Sequence, residues 1–105
     1  MKIENIELYY LSMPEILDEA DGSQDALIVK VEAGGLVGWG ECEASPLTSI
    51  ANFICPKSHS AANPIRASVI NQNINDLNDV KKIIETVKHR SLMIAQTPHT
   101  FSGIE

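Results

Sequence analysis

The stretch Ala33-Gly34-Gly35-Leu36-Val37-Gly38-Trp39-Gly40-Glu41-Cys42 decides how this chain reads. The segment before it, Ala26-Leu27-Ile28-Val29-Lys30-Val31-Glu32, has the period of a strand with one buried face. Leu27, Val29 and Val31 are expected to point inward, and Lys30 and Glu32 outward. Ala33-Gly34-Gly35 supplies the positive-φ residues that a tight hairpin requires. Leu36 to Cys42 is then the returning strand. Its Gly38 and Gly40 leave one face bare, as happens at a bulge or where another element comes close.

Toward the N-terminus, Lys2 to Met13 reads as a further strand. Ile6, Leu8 and Tyr10 share one face, and Tyr9, Leu11 and Met13 share the other. Ile3 is out of phase with Ile6, which predicts a bulge near Glu4-Asn5. Pro14 closes this strand, and Glu15 to Asp25 forms a polar loop. The three strands make an antiparallel meander.

Toward the C-terminus the chain reads as helical. Ser45-Pro46 is a cap followed by proline at the first helical position, with Leu47, Ile50 and Phe53 or Ile54 at helical spacing until Cys55-Pro56. Asn63-Pro64 repeats that start, Ile65 and Val69 share a face, and Asn71 suits a left-handed C-terminal position. The longest helix is expected from about Asp76 to about Ile94, with Leu77, Val80, Ile84, Val87 and Ile94 buried. Asp76 and Asp79 near its start and Lys88, His89 and Arg90 near its end suit the helix dipole. Thr100-Phe101-Ser102-Gly103-Ile104-Glu105 reads as the start of another helix, with Ser102 as cap and Glu105 completing a capping box. On that reading the chain stops where a helix begins, which is the mark of a truncated sequence. The fold class is α+β: a three-stranded antiparallel meander followed by a small helical bundle.

Composition bounds what such a domain can do. The 105 residues are enough for one domain that buries roughly two-thirds of its unfolded surface. They are far short of the about 250 residues of a (β/α)8 barrel. With 44% hydrophobic and 21% charged residues the chain is globular, not disordered. Residues 1–43 carry ten acids against Lys2 and Lys30, a net of −8, and the remainder nets +2 from six bases and four acids. An acidic front half argues against nucleic acid, which calls for clustered Lys and Arg. The N-terminus has no signal-peptide pattern, and no segment reaches bilayer-spanning length. Cys42 and Cys55 form neither a disulfide framework nor a metal-ligand pattern. A soluble cytoplasmic protein, with no membrane partner, is the expectation.

The hairpin Asp25 to Glu41 and the ending Ser102-Gly103-Ile104-Glu105 resemble the N-terminal capping domain of the enolase superfamily, in its mandelate racemase and muconate lactonizing branch. The order of elements resembles it throughout. The resemblance implies a partner, a (β/α)8 barrel carrying the catalytic acids and bases, absent from residues 1–105. It implies chemistry that begins by removing a proton alpha to a carboxylate. Magnesium is implied for the complete enzyme as stabiliser of the enediolate, with no cofactor bound by this chain alone. A cap of this kind supplies two loops over the barrel mouth, here Glu15 to Gln24 and Glu43 to Ser60. No catalytic or metal-binding residue of the family has a counterpart here.

The candidate substrate-binding residues lie in those loops. Lys57 can pair with a carboxylate, while Ser58 and His59 can bond hydroxyls, which favours an acid-sugar dehydratase. The same stretch also reads as a solvated loop whose serines cap the next helix. Asp18 and Asp21, with Glu19, form an acidic lid; their spacing misses the calcium-loop pattern. Trp39 is expected to pack against the helices and Glu41 to cap or bond a neighbouring loop. His89 serves the helix dipole, His99 a linker, and Lys81-Lys82 a solvated face. Neither cysteine shows the nearby base a nucleophile needs. An exposed apolar patch is expected along the glycine face or at Ile50-Phe53-Ile54, where a barrel would dock. The alternative reading is a stand-alone, non-catalytic domain that forms a homo-oligomer or pairs with a separate barrel chain.

Overall fold

A computed structural model describes residues 1–19, 23–42 and 45–105. Strands β1 (Ile3–Leu11), β2 (Ala26–Ala33) and β3 (Leu36–Cys42) form an antiparallel sheet in the order β1-β2-β3. Gly34 (φ 56°) and Gly35 (φ 79°) make the two-residue turn between β2 and β3, as two positive-φ positions demand. Ile3 faces Ala33 and Asn5 faces Glu32, so Glu4 is the extra residue of the expected bulge. β1 stops at Leu11 rather than Met13. Residues 71–74 run beside its start: the Ile3 amide donates to Gln72 O (2.9 Å) and the Asn71 amide to Ile3 O (2.8 Å).

Four helices cover the inner face: α1 (Pro46–Ile54), α2 (Ile65–Val69), α3 (Leu77–Arg90) and α4 (Thr97–Ile104). Leu27 and Val29 from the sheet meet Ile65, Val69 and Val87 from the helices, all essentially without solvent contact. Each such side chain contributes about 1.5–3 kcal/mol relative to exposure. Helix α3 starts at Asp76, whose side chain accepts from the Asp79 amide (3.0 Å), and Lys88, His89 and Arg90 fill its last turn. Asn71 takes the left-handed conformation (φ 65°) just past α2.

Several expectations need correcting. Helix α2 begins one residue later than the Asn63-Pro64 signal, with Pro64 at the cap, because Asn63 is buried and engaged elsewhere. Helix α3 ends at Arg90, Ile83 replaces Leu77 in its buried stripe, and Leu77 is 76% exposed. Ser45 precedes α1 without making a side-chain cap bond. Ser102 caps nothing: Pro98 sets the start of α4 at Thr97, and Ser102 lies inside that helix donating to His99 O (2.7 Å). The last residues therefore lie in a helix that began at Thr97 instead of opening one.

The glycine face of β3 is occupied by this chain's own α4. A methyl group at Gly40 would lie 2.0 Å from Gly103 O, and one at Gly103 would lie 2.6 Å from Cys42 Sγ. Helix and strand meet backbone to backbone. At Gly38 nothing lies within 4 Å.

Candidate functional site

β1 ends, β2 begins and β3 ends at the same edge of the sheet, since Leu11 pairs with Ala26 and Leu27 with Cys42. The chain therefore leaves β1, enters β2 and leaves β3 at one end of the sheet, opposite the Gly34-Gly35 turn. The expected loop Glu15 to Gln24 starts from that end; of the expected loop Glu43 to Ser60, residues 46–54 form helix α1.

The first loop is tied by side chains. Asp25 accepts from the Met13 amide through Oδ1 (2.7 Å) and from the Tyr10 hydroxyl through Oδ2. The Tyr10 hydroxyl first, and then the Met13 amide, hold the Asp25 carboxyl below its ordinary pKa. Ser23, buried, accepts from the Leu17 amide (2.8 Å) and donates to Leu17 O (3.3 Å). Asp18 is exposed in this loop, and beside it Met13, Ile16 and Leu17 are exposed too. Asp21 lies outside the described residues.

The second loop folds on itself. The Ser58 amide donates to Ala62 O (3.1 Å) and the Ala62 amide to His59 O (3.1 Å). His59 Nδ1 accepts from the Ala61 amide (3.1 Å), which leaves Nε2 as the N–H of the neutral ring. Ser60 Oγ lies 3.3 Å from the same Nδ1, so neither serine caps α2. Lys57, Ser58 and His59 are all exposed on one turn, with only Nε2 of the imidazole open to a ligand.

Asn63 anchors that turn. Its side-chain amide donates to Ser60 O (2.8 Å) and Arg90 O (2.7 Å), and its own carbonyl accepts from Ser91 Oγ (2.6 Å). One buried side chain thus satisfies a C-terminal carbonyl of α3 and fixes the loop. Sequence reasoning read Asn63 as a helix cap. The position of an asparagine before proline carries no sign of a partner 27 residues away.

Helix α1, between the two loops, is turned inside out. Pro46, Ser49, Asn52 and Phe53 are buried, whereas Leu47 (66% exposed), Ala51 and Ile54 (60%) form the outward stripe at i, i+4, i+7. Of the Ile50-Phe53-Ile54 segment expected to be exposed, only Ile54 is open; Phe53 is buried and Ile50 half-buried, and Leu47 and Ala51 complete the outward stripe instead. The cause is hydrogen bonding to α4. Gln96 Nε2 donates to Ser49 Oγ (3.0 Å), and Asn52 Nδ2 to Thr97 Oγ1 (3.3 Å) and Thr100 Oγ1 (3.4 Å). Asn52 Oδ1 is buried without a partner among the described residues.

Trp39 also departs from expectation. It lies on the outer sheet face, 64% exposed, with Tyr9 at 6.1 Å between ring centroids and the Lys30 ammonium 5.9 Å from its ring. Lys30 pairs with Glu32 (2.7 Å). The signal was present, because a two-residue turn at Gly34-Gly35 puts Trp39 opposite Lys30, an outward residue. Glu41 is exposed on that same face.

A recess of about 570 Å³ opens between α3 and α4, lined by Ile84, Val87, Leu92, Pro98 and Phe101 among others. None of Lys57, Ser58, His59 or Asp18 lines it. Cys42 is buried, donates to Thr100 O (3.2 Å), and has its thiol pKa pushed up by burial, the opposite of a reactive cysteine. Among the described residues no group of three or more His, Cys, Asp or Glu is placed to hold a metal ion. No helix among them is long and apolar enough to cross a membrane.

A three-stranded meander followed by four helices is the α+β fold that the resemblance to the N-terminal domain of mandelate racemases implied. In particular, the chain is similar to a predicted mandelate racemase from Rhodobacter sphaeroides of known crystal structure. The two share 53% identity over 98% of this chain, with a TM-score of 0.93. A second solved structure, of a candidate racemase, is 20% identical over 88% of the chain (TM-score 0.66) and shows the fold alone. The chain spans about a quarter of either protein, 26% and 22% of their lengths. No family model and no curated protein matches the sequence.

Proposed function

We propose that this domain is the substrate-specificity cap of a mandelate racemase-type enzyme. In this reading a (β/α)8 barrel supplies magnesium binding and removal of a proton alpha to a carboxylate. The metal then belongs to the barrel, and no step passes through a metal held by residues 1–105. Their part is to bind, orient and exclude water. In this reading Lys57 meets carboxylate oxygens, and Ser58 and His59 Nε2 meet hydroxyls, which favours dehydration of an acid sugar. Asp18, exposed between β1 and β2, belongs to the same candidate set. A cytoplasmic location belongs to the same reading.

The observation that carries this proposal is the apolar stripe Leu47–Ala51–Ile54, uncovered on a helix whose polar face is buried. A helix in water normally shows the reverse arrangement, and contiguous exposed apolar surface marks an interaction face. In this reading the stripe is the face that meets the barrel mouth.

The test is a chimera in which this chain replaces the matching quarter of the Rhodobacter sphaeroides protein. Magnesium-dependent exchange of the alpha proton in D2O is followed by NMR over a panel of acid sugars and aromatic hydroxy acids. The expected result is exchange that favours acid sugars and that Lys57→Ala lowers about ten-fold, roughly 1.4 kcal/mol. A folded chimera with no exchange on any substrate would sink the proposal. Reversible self-association of the isolated chain, together with an inert chimera, would establish the stand-alone alternative.

A further inference from the structure

One run of buried hydrogen bonds joins helix α1 to the turn that carries Lys57, Ser58 and His59. Asn52 Nδ2 donates to Thr97 Oγ1 (3.3 Å) and Thr97 Oγ1 to Ser91 O (3.0 Å). Ser91 Oγ then donates to Asn63 O (2.6 Å), and Asn63 Nδ2 to Ser60 O (2.8 Å). Asn52, Thr97, Ser91 and Asn63 are all buried. The sense of the run is set in its middle: the single Thr97 hydroxyl proton goes to Ser91 O, so the Asn52 atom facing it has to be the amide nitrogen. That leaves Asn52 Oδ1 as the end without a partner among the described residues. The turn also lies along the segment after α3 by its backbone, since the Asn63 amide donates to Arg90 O (3.0 Å) and the Met93 amide to Ala61 O (2.9 Å). In so dry a run water does not replace a lost link, and the loss is taken up by movement of the neighbouring groups.

We infer that Thr97 and Ser91 are positioning residues that couple the seating of α1 to the geometry of the 57–62 turn. The helix with the uncovered outer stripe and the turn that offers Lys57, Ser58 and His59 Nε2 thereby share one set of bonds. Such coupling is reciprocal: a partner that shifts α1 shifts the turn, and a ligand that shifts the turn shifts α1 by the same free energy. That a barrel settles on the one and a substrate on the other rests on the capping reading; the run of bonds does not.

The test is amide hydrogen exchange of the 105-residue chain, read by NMR as the rate of the Ala61 and Ala62 amides relative to those of Leu27 and Val29. Ala61 and Ala62 donate to His59 Nδ1 and His59 O, and so report the shape of the turn. General destabilisation speeds the sheet amides and lowers this ratio, whereas a loosened turn raises it. Asn52→Ala and Thr97→Val should each raise the ratio at least about three-fold. Thr97→Ser keeps the hydroxyl and should hold the native value. Thr100→Val is the control: Thr100 is buried too and accepts from the same Asn52 amide (3.4 Å), but it lies off the run to Ser91, so the ratio should stay native. Asn52→Ala combined with Thr97→Val should raise it no further than the larger single change, since both break one run. If Thr97→Val does not fold, Ser91→Ala takes its place as the next link, and Ser68→Ala, a buried serine off the run, becomes the control. An unmoved or lowered ratio in Asn52→Ala and Thr97→Val would overturn the inference, as would additive changes or an equal rise in the control. Ala61 and Ala62 exchanging at unstructured rates in the native chain would overturn it as well. Failure here leaves the chimera test of the cap reading untouched, and an inert chimera leaves the coupling standing.

Discussion

The seam between β3 and α4 and the outer stripe of α1 differ in kind. At the seam, Gly40 and Gly103 bring two backbones into contact, with no space for a methyl group between them. On α1, Leu47, Ala51 and Ile54 face away from the molecule while Ser49 and Asn52 are enclosed. Apolar content alone would have put the leucine inside and left the glycines open. What decides is fit and partnership. The seam is closed because nothing projects, and Ser49 and Asn52 turn inward because α4 offers Gln96, Thr97 and Thr100.

The largest expected effect would break the seam. Gly40→Ala places Cβ 2.0 Å from Gly103 O and 2.9 Å from Gly103 C, both backbone atoms that cannot turn aside. Helix α4 would have to lift from the sheet, costing more than about 3 kcal/mol or abolishing folding. Gly38→Ala, two residues along the same strand and face, meets nothing within 4 Å and should shift stability by less than about 1 kcal/mol. Urea denaturation of the two variants measures the difference. Equal stabilities would mean that α4 does not dock at Gly40.

The second prediction sharpens the other side. Lysines at Leu47 and Ile54 should each leave the isolated chain within about 0.5 kcal/mol of the native stability, because both side chains already face water. Phe53→Ala, on the opposite side of the same helix and 4% exposed, should cost about 3–5 kcal/mol. Strong destabilisation by the lysines would show the stripe to be covered within this chain, and the case for a barrel-facing surface would fall.

The same contrast explains what could be read from the sequence. The strands, the bulge at Glu4 and the Gly34-Gly35 turn are local matters of period and φ, and they were legible. So was the start of α3 near Asp76, although Asp76 acts there as the cap, accepting from the Asp79 amide, and not only as a charge suiting the dipole. The inward face of α1 was not, because the atoms that draw Ser49 and Asn52 inward lie more than 40 residues later. Pro98 outweighed the Ser102 capping pattern because proline fits the first turn of a helix, whereas Ser102 could bond backward from inside it. For the loops, sequence showed Lys57, Ser58 and His59 as neighbours, but not that Ala61 engages one ring nitrogen. Asp25 and Ser23 were passed over because a tie between loop ends has no sequence period.

The smallest prediction sets two buried serines against each other, and extends the principle of partnership to single hydroxyls. Ser91 is fully buried and donates to Asn63 O at 2.6 Å, at the junction that fixes the 57–62 turn. Ser68 is 1% exposed in α2, and its hydroxyl has no partner among the described residues. Alanine at Ser91 leaves the Asn63 carbonyl short of a donor and should cost about 1–2 kcal/mol. Alanine at Ser68 removes a dehydrated group that bonds nothing and improves helix propensity, so it should stabilise by up to about 1 kcal/mol. Thermal unfolding of the two variants reads a difference of sign as well as size. Were Ser68→Ala to destabilise as much as Ser91→Ala, the Ser68 hydroxyl would have to be bonded in solution, and burial without a partner would no longer distinguish the two sites.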